Sequence, residues 1–423
     1  MPPDLHEPLD LEGWDWVEAL VQRTDEQPTF GWLNRAGEEV RKDTENLIEL
    51  EQEAAAEGKY GPAGHLKRVR ATMLKRYLLN FLASRNILPK YGFPVDVVEL
   101  SLAKTGDPVA GKLELSRDLK LAIRDYAPGA QVVAGKALWS SDGLALRRGQ
   151  TWPTYHWVVC GACGAFRQGL QDVGEACPSC QSTAELTGGR FIIPIHGFVG
   201  SRASSGPGDS QPRKPGFLET YFGAYGEDTP ELQIVPELSA DGHTVYVRFS
   251  HQGQITVLNR GSTSGFYVCE WCGSAEQASG RRRSKDHANP QRPGVRCTGP
   301  KPFVQLGHIY LTDVVELRFD EYMEISTAMS ALHALVAAMP DLGIKRDDID
   351  GTLDWYAQGR AAFILYDTVP GGAGHAQEVN KRLPELFAAA LAKVSECECG
   401  EETACPAWPL KRRQRCWAAS SSL

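Results

Sequence analysis

The chain has 423 residues, 42% hydrophobic and 23% charged, with 53 acidic and 45 basic side chains and a net charge of −8. This is an ordinary soluble composition, with length for two or three domains and a sizeable core. No run of eighteen apolar residues reads as a membrane span and no charged-then-apolar start reads as a signal peptide, so a reducing cytoplasmic setting is expected, with no membrane partner.

The charge is uneven. Residues 1–60 hold 16 acidic and 5 basic side chains, and the remainder holds 37 and 40. An acidic lead, most simply a solvated helix face, precedes a slightly basic body. The overall balance therefore does not argue against an anionic partner.

Residues 33–57 read as a helix, with Leu33, Val40, Leu47 and Leu50 among Glu and Lys, broken by Gly58 to Gly64. Residues 65–85 read as a second helix, because Leu66, Val69, Met73, Tyr77 and Phe81 fall on one stripe. Its Lys67, Arg68, Arg70, Lys75 and Arg76 form a basic face, solvated or touching phosphates. Strands are expected at Val95–Leu100, around Val132–Val133, and at Trp152–Cys160, Phe191–Ile195, Val245–Phe249, Ile255–Leu258 and Ile309–Phe319. Ser201 to Gly216, rich in Ser, Gly and Pro, reads as a linker or mobile loop. Ile325, Met329, Leu332, Leu335, Val336 and Met339 mark a helix stopped by Pro340. A strand at Phe363–Tyr366, a glycine-rich loop and a helix from 373 to 395 follow.

Eleven cysteines fall in three groups. Cys160-Gly-Ala-Cys163 and Cys177-Pro-Ser-Cys180 are thirteen residues apart. Two such turns place four thiolates around one hollow, which suits a closed structural zinc, with an iron–sulfur cluster as the minor alternative. Cys269-Glu-Trp-Cys272 has no adjacent Cys-x-x-Cys partner, but His287 and Cys297 downstream would complete a tetrahedron. The loop between carries Arg281, Arg282, Arg283 and Lys285, with Arg292 and Arg296 beyond, and either grips a phosphate backbone or is a solvated insert. Cys397, Cys399, Cys405 and Cys416 form the last group, with Lys411, Arg412, Arg413 and Arg415 inside it. Adding His287 to the cysteines gives twelve donors, enough for three tetrahedral zincs, and two to three are expected.

Asp367, Gly371, Gly372, Gly374 and His375 lie in a loop that follows an apolar strand and opens a helix. Such a loop either cradles an anion or is a tight turn that needs glycine for its dihedrals. There is no Gly-x-x-x-x-Gly-Lys-Ser/Thr loop, no His-Glu-x-x-His helix and no Gly-x-Ser-x-Gly elbow.

Leu365-Tyr-Asp-Thr-Val-Pro-Gly-Gly-Ala-Gly374, with the helix and cysteines after it, resembles the zinc-binding C-terminal domain (MZB) of MrfA-type superfamily-2 DEAD/DEAH helicases. The stretches Ala83–Leu100, Asn259-Arg-Gly with Gly265-Phe266, and Leu306–Asp313 are similar to the same region, so the resemblance runs from 65 to 416. It implies a helicase-associated DNA-binding part, such as the DrmB subunit of the DISARM phage-defence system, whose motor is supplied elsewhere. One departure is Trp408, which stands where the family's last cluster has its final thiol, with Cys416 as the substitute.

The expected architecture is α+β, with a helical N-terminal part, zinc-ribbon and zinc-knuckle β modules, and a C-terminal α/β zinc-binding domain. The segments are 1–64, 65–150, 151–200, 201–300 and 301–423. The expected function is DNA binding beside a superfamily-2 motor in repair or antiphage defence, without catalysis by the chain alone. The rival is a metal-dependent nuclease or hydrolase using Asp367 and His375.

Overall fold

The computed structural model describes residues 32–74 and 96–396, apart from short internal stretches such as 205–210 and 279–285. The acidic residues 1–31, the end of the second predicted helix and the third cysteine group lie outside the described residues. The chain forms two compact units: Met1–Asp96 with Arg147–Trp152, and Val97–Leu146 with Pro153–Leu423.

In the first unit, α1 (Trp32–Ala56) and α2 (Tyr60–Leu74) form a helical hairpin. Ala36, Leu47 and Ala63 are buried, and Gly58 turns the chain at a φ of 75°. Arg70 of the predicted basic face pairs with Glu51 at 3.0 Å.

The second unit opens with β1 (Val97–Ser101), β2 (Ser116–Asp118), α3 (Leu119–Asp125), β3 (Gln131–Ala134) and β4 (Ala137–Leu144). Next come β5 (Thr154–Cys160), β6 (Phe166–Gly169), β7 (Leu186–Ile192), β8 (Phe198–Ser204), β9 (Leu218–Tyr225) and β10 (Gln233–Ile234). They lead to β11 (Val245–Asn259), β12 (Phe266–Val268), β13 (Ala275–Gln277), β14 (His287–Ala288), β15 (Arg296–Cys297) and β16 (Phe303–Phe319). The chain continues with α4 (Ile325–Ala338), β17 (Ile349–Tyr356), β18 (Arg360–Asp367), α5 (His375–Lys381) and α6 (Leu383–Ser395). The fold is mixed α+β, mostly sheet.

β2, β1, β8, β4 and β3 form one sheet in that order. An eleven-stranded sheet is built around β16, which pairs with β11, β18, β12 and, in parallel, β7. Segments 151–200, 201–300 and 301–423 all contribute strands to it. Strand alternation explains its two faces. Val315, Leu317, Phe363, Leu365 and Trp355 face a core closed by Leu332 and Leu335 of α4, Val379 of α5 and Leu386 of α6. On the other face Glu316, almost fully buried, accepts from Arg248, Arg318 and Tyr225. Burial opposes its ionisation, but the two guanidiniums hold its carboxyl below the usual range.

Several elements differ from expectation. The two strands predicted within 245–258 are one, β11, bent by an irregularity between Ser250 and Gly253. The first four residues of the predicted linker, Ser201–Ser204, belong to β8 because β4 pairs with them. The predicted C-terminal helix is two helices, with Pro384 in the first turn of α6. The segment Ile325–Leu342 is long and apolar enough to cross a membrane by composition. Here Leu332, Leu335, Ala338 and Met339 are buried in the core instead.

Candidate metal centres

Three Cys-x-x-Cys turns share one backbone pattern. The N–H of the residue after the second cysteine donates to the first cysteine's carbonyl: Gly164 to Cys160 at 2.7 Å, Gln181 to Cys177 at 2.8 Å, Gly273 to Cys269 at 2.9 Å. The first cysteine's own N–H donates one residue further on, to Ala165, Ser182 and Ser274 respectively. Closing so tight a turn sends the chain into the left-handed region, with φ of 81° at Gly164, 61° at Gln181 and 75° at Gly273. Both thiols of each turn then point to the same side.

In the first centre the turn between β5 and β6 supplies Cys160 and Cys163, and the following loop supplies Cys177 and Cys180. Sγ of Cys160 lies 3.6 Å from that of Cys180, and Sγ of Cys163 lies 3.6 Å from that of Cys177. All four lie within 4.8 Å of one another. A zinc–sulfur bond of about 2.3 Å in a tetrahedron sets neighbouring sulfurs about 3.8 Å apart, so the four fit zinc.

In the second centre the turn between β12 and β13 supplies Cys269 and Cys272. His287 and Cys297 stand directly opposite one another on the β14–β15 hairpin. Cys269 Sγ lies 3.8 Å from Cys297 Sγ, and Cys272 Sγ lies 3.3 Å from His287 Nε2. Two strands of two residues have little stability of their own. This hairpin is held by Asn289, whose side chain accepts the amides of Gln291 and Arg292, and by its donors to the centre.

Burial opposes ionisation at most of these thiols. Burial pushes the Cys272 thiol up to about 12 and raises Cys163 strongly. At Cys177 burial opposes the thiolate, but the amides of Cys180 and Ser179 bring it to about 7. A bound zinc compensates buried thiolates directly, and with four protein ligands each site is closed to a reacting water. Two Cys-rich zinc sites thus stand among the described residues. Cys397, Cys399, Cys405 and Cys416, with Lys411, Arg412 and Arg413, lie outside them, as do Arg281, Arg282, Arg283 and Lys285.

The glycine loop is built for shape. Asp367 is fully buried and accepts the backbone N–H groups of Ala373, His375 and Ala376, capping α5 across the loop. Asp313 accepts the N–H of Gly374 at 3.2 Å, and Thr312 donates to the carbonyls of Asp367 and Val369. His375 turns instead to Asp348, 3.6 Å away. The carboxylate that the rival hydrolase reading would use, Asp367, is thus occupied by main-chain amides. Gly371, Gly372 and Gly374, at φ of 93°, 73° and 82°, make the turn that wraps it.

Residues 331–407 match the family model of the MZB, the MrfA Zn-binding domain. The match lies in the C-terminal part of this chain. Most of α4, together with β17, β18, the glycine loop, α5 and α6, falls inside it, as do Cys397, Cys399 and Cys405. The two described zinc centres precede it. Across the chain, the Druantia protein DruE of Escherichia coli (strain UMEA 4076-1) is 23% identical over 447 residues, covering 92% of this chain and 24% of that protein. The crystal structure of the DUF1998 helicase MrfA bound to DNA is 13% identical, covers 73% of this chain and 32% of its own, and has a TM-score of 0.34. A further crystal structure of the DUF1998 helicase MrfA is 12% identical, covers 76% of this chain and 33% of its own, and has a TM-score of 0.30. The chain thus spans about a quarter of DruE and about a third of the solved MrfA chain.

Sequence reasoning missed Asp313, although it ends the similar stretch Leu306–Asp313, and it missed His251, which contacts Asp313 at 2.9 Å. It also missed the charged row of Arg248, Glu316 and Arg318. Their alternation along β11 and β16 was the available signal.

Proposed function

We propose that this chain is a helicase-associated zinc-binding module that binds DNA and works with a superfamily-2 motor in repair or antiphage defence, in the cytoplasm. The observation that carries this reading is the MZB domain at 331–407, whose core is shared with the first zinc centre. The similarity to the Druantia protein DruE, along 92% of this chain, is a second support for the reading. The chain has no Gly-x-x-x-x-Gly-Lys-Ser/Thr loop, so the motor is assigned to another domain or chain.

DNA contact is assigned to the second zinc module. From Cys269 to Lys301 inclusive there are seven basic and three acidic side chains, in a chain whose net charge is −8. Its guanidinium and ammonium groups are assigned to phosphates, with the zinc ligands Cys269, Cys272, His287 and Cys297 flanking them in sequence. Binding of this kind is salt-dependent and weakly sequence-specific. The test is a mobility shift at low salt with the zinc-loaded chain and with the chain after chelation. Retardation that disappears on chelation is expected. No retardation in either sample contradicts the reading.

A further inference from the structure

The two zinc centres are supported very differently. In the first, Cys160 ends a seven-residue strand, β5, paired on both sides with β6 and β7. Cys160, Cys163 and Cys177 are buried in an apolar core, and Cys180 packs against that core. In the second, His287 and Cys297 stand on strands of two residues that form a two-stranded sheet of their own. Cys269 and Cys272 are buried, whereas Cys297 is half-buried. The chain just beyond Cys297 is nonetheless fixed. Glu270 donates its N–H to the Pro300 carbonyl and Val268 donates to that of Pro302, both at 3.1 Å. Gly299 lies so close that a Cβ there would stand 2.8 Å from Cys269 Sγ. Main chain thus keeps Cys297 Sγ near Cys269 Sγ, 3.8 Å away, while His287 reaches the centre from the other arm of the hairpin.

Two neighbouring sulfurs, one of them within reach of solvent, suit a two-electron oxidation. We propose that the second centre is a redox clasp, in which a peroxide joins Cys297 to Cys269 and releases the hairpin. The Cys297 thiolate attacks hydrogen peroxide, so the O–O bond breaks, an S–O bond forms and hydroxide leaves. The Cys269 thiolate then attacks that sulfenic sulfur, which forms the S–S bond and expels a second hydroxide. The two thiolates together lose two electrons, and one peroxide is reduced. Only Cys272 and His287 remain as donors, half of a closed tetrahedral set. The β14–β15 pairing has little stability of its own, so the His287 arm comes free. The first centre has sulfurs as close, with Cys160 and Cys180, and Cys163 and Cys177, at 3.6 Å. Its turns, however, are wedged against Trp355 through Gly164 and Ser179, so its cysteines stay covered and in place. The proposal needs the zinc centre alone and does not depend on DNA binding.

The test treats the full zinc-loaded chain with hydrogen peroxide at neutral pH. Free thiols are alkylated at intervals, released zinc is read with a metallochromic dye, and disulfides are mapped by mass spectrometry. A disulfide between Cys269 and Cys297 is expected, in step with the loss of about one zinc per chain. It should precede any disulfide among Cys160, Cys163, Cys177 and Cys180, and dithiothreitol with added zinc should reverse it. Cys297→His keeps a zinc donor and removes the disulfide, so its second centre should hold zinc through the same treatment. Where that variant loses zinc on purification, the wild-type map alone decides. A disulfide within the first centre that forms sooner overturns the proposal. So does a Cys297 that remains a free thiol while other cysteines oxidise, and so does a chain that keeps its zinc and all its thiols.

Discussion

Gly164 packs directly against the indole of Trp355: a Cβ on Gly164 would stand 2.4 Å from Trp355 Nε1. From the other cysteine turn of the same centre, Ser179 donates its hydroxyl to the Trp355 carbonyl at 3.1 Å. Both turns of the first zinc centre thus meet one residue of the MZB domain. The centre is part of that domain's core, with Cys160, Cys163 and Cys177 packed among its apolar side chains.

Gly164→Ala is therefore expected to lower stability by about 1–3 kcal/mol and to speed zinc loss to a chelator, because it combines a left-handed φ with a clash. Gly174 is the control: its φ is 89°, but nothing stands within 4 Å of its Cβ position. Gly174→Ala should cost about 1 kcal/mol, the backbone penalty alone. Thermal unfolding of the two variants checks this, and equal losses would count against the Trp355 contact.

Metal analysis of the full chain is expected to find about three zincs, two from the described sets and one from the last four cysteines. His287→Ala should lower the count by one, and His287→Cys should retain it. A count unchanged in His287→Ala would remove this histidine from the ligand set.

Burial pushes the carboxyl of Asp354, on β17, up to about 6, against the pull of the Trp355 amide and Arg167. Its unfolded value is about 3.9, so the native state binds the proton more tightly. The group therefore favours folding more as pH falls from 6 toward 4 and costs stability at neutral pH. Asp354→Asn should raise stability at pH 7 by about 1–2 kcal/mol, with the gain shrinking at pH 4. Denaturant unfolding at the two pH values reads the difference, and a loss at pH 7 would contradict it.

The hydrogen bond that the His251 ring donates to the Asp313 carboxylate raises the pKa of His251 above its ordinary value, despite partial burial. A raised histidine adds stability that is fully present below its unfolded pKa and is lost as pH rises through the folded one. The ring's titration by NMR should have its midpoint above 6.5, falling in Asp313→Asn. A midpoint indifferent to that substitution would separate His251 from the loop that Asp313 holds.

The metal centres were legible because their spacing is local: Cys-x-x-Cys fixes a turn whatever surrounds it. His287 was found by counting donors, and the β14–β15 pairing sets it opposite Cys297. What stayed hidden depends on distant contacts. β17 carried the period-two signal of a half-buried strand, with Asp350, Thr352 and Asp354 alternating with Ile349, Leu353 and Trp355, but its length and register are set by pairing with β18. The Asp367 loop was ambiguous because a glycine turn looks the same whether it wraps a ligand or a carboxylate. Gln181 shows the limit of the glycine signal, since it takes the same left-handed position as Gly164 and Gly273 without announcing it.

The most direct test of DNA binding by a zinc-pinned basic module is the salt dependence of affinity, measured on single-stranded DNA for the wild type and for a variant with Arg281, Arg282, Arg283 and Lys285 changed to Gln. The wild type is expected to bind at low salt with a steep negative slope of log K against log salt. The variant should bind more weakly, with the slope reduced by about 0.7 for each phosphate contact removed. No binding by the zinc-loaded wild type at low salt, or identical slopes for the two proteins, would contradict it.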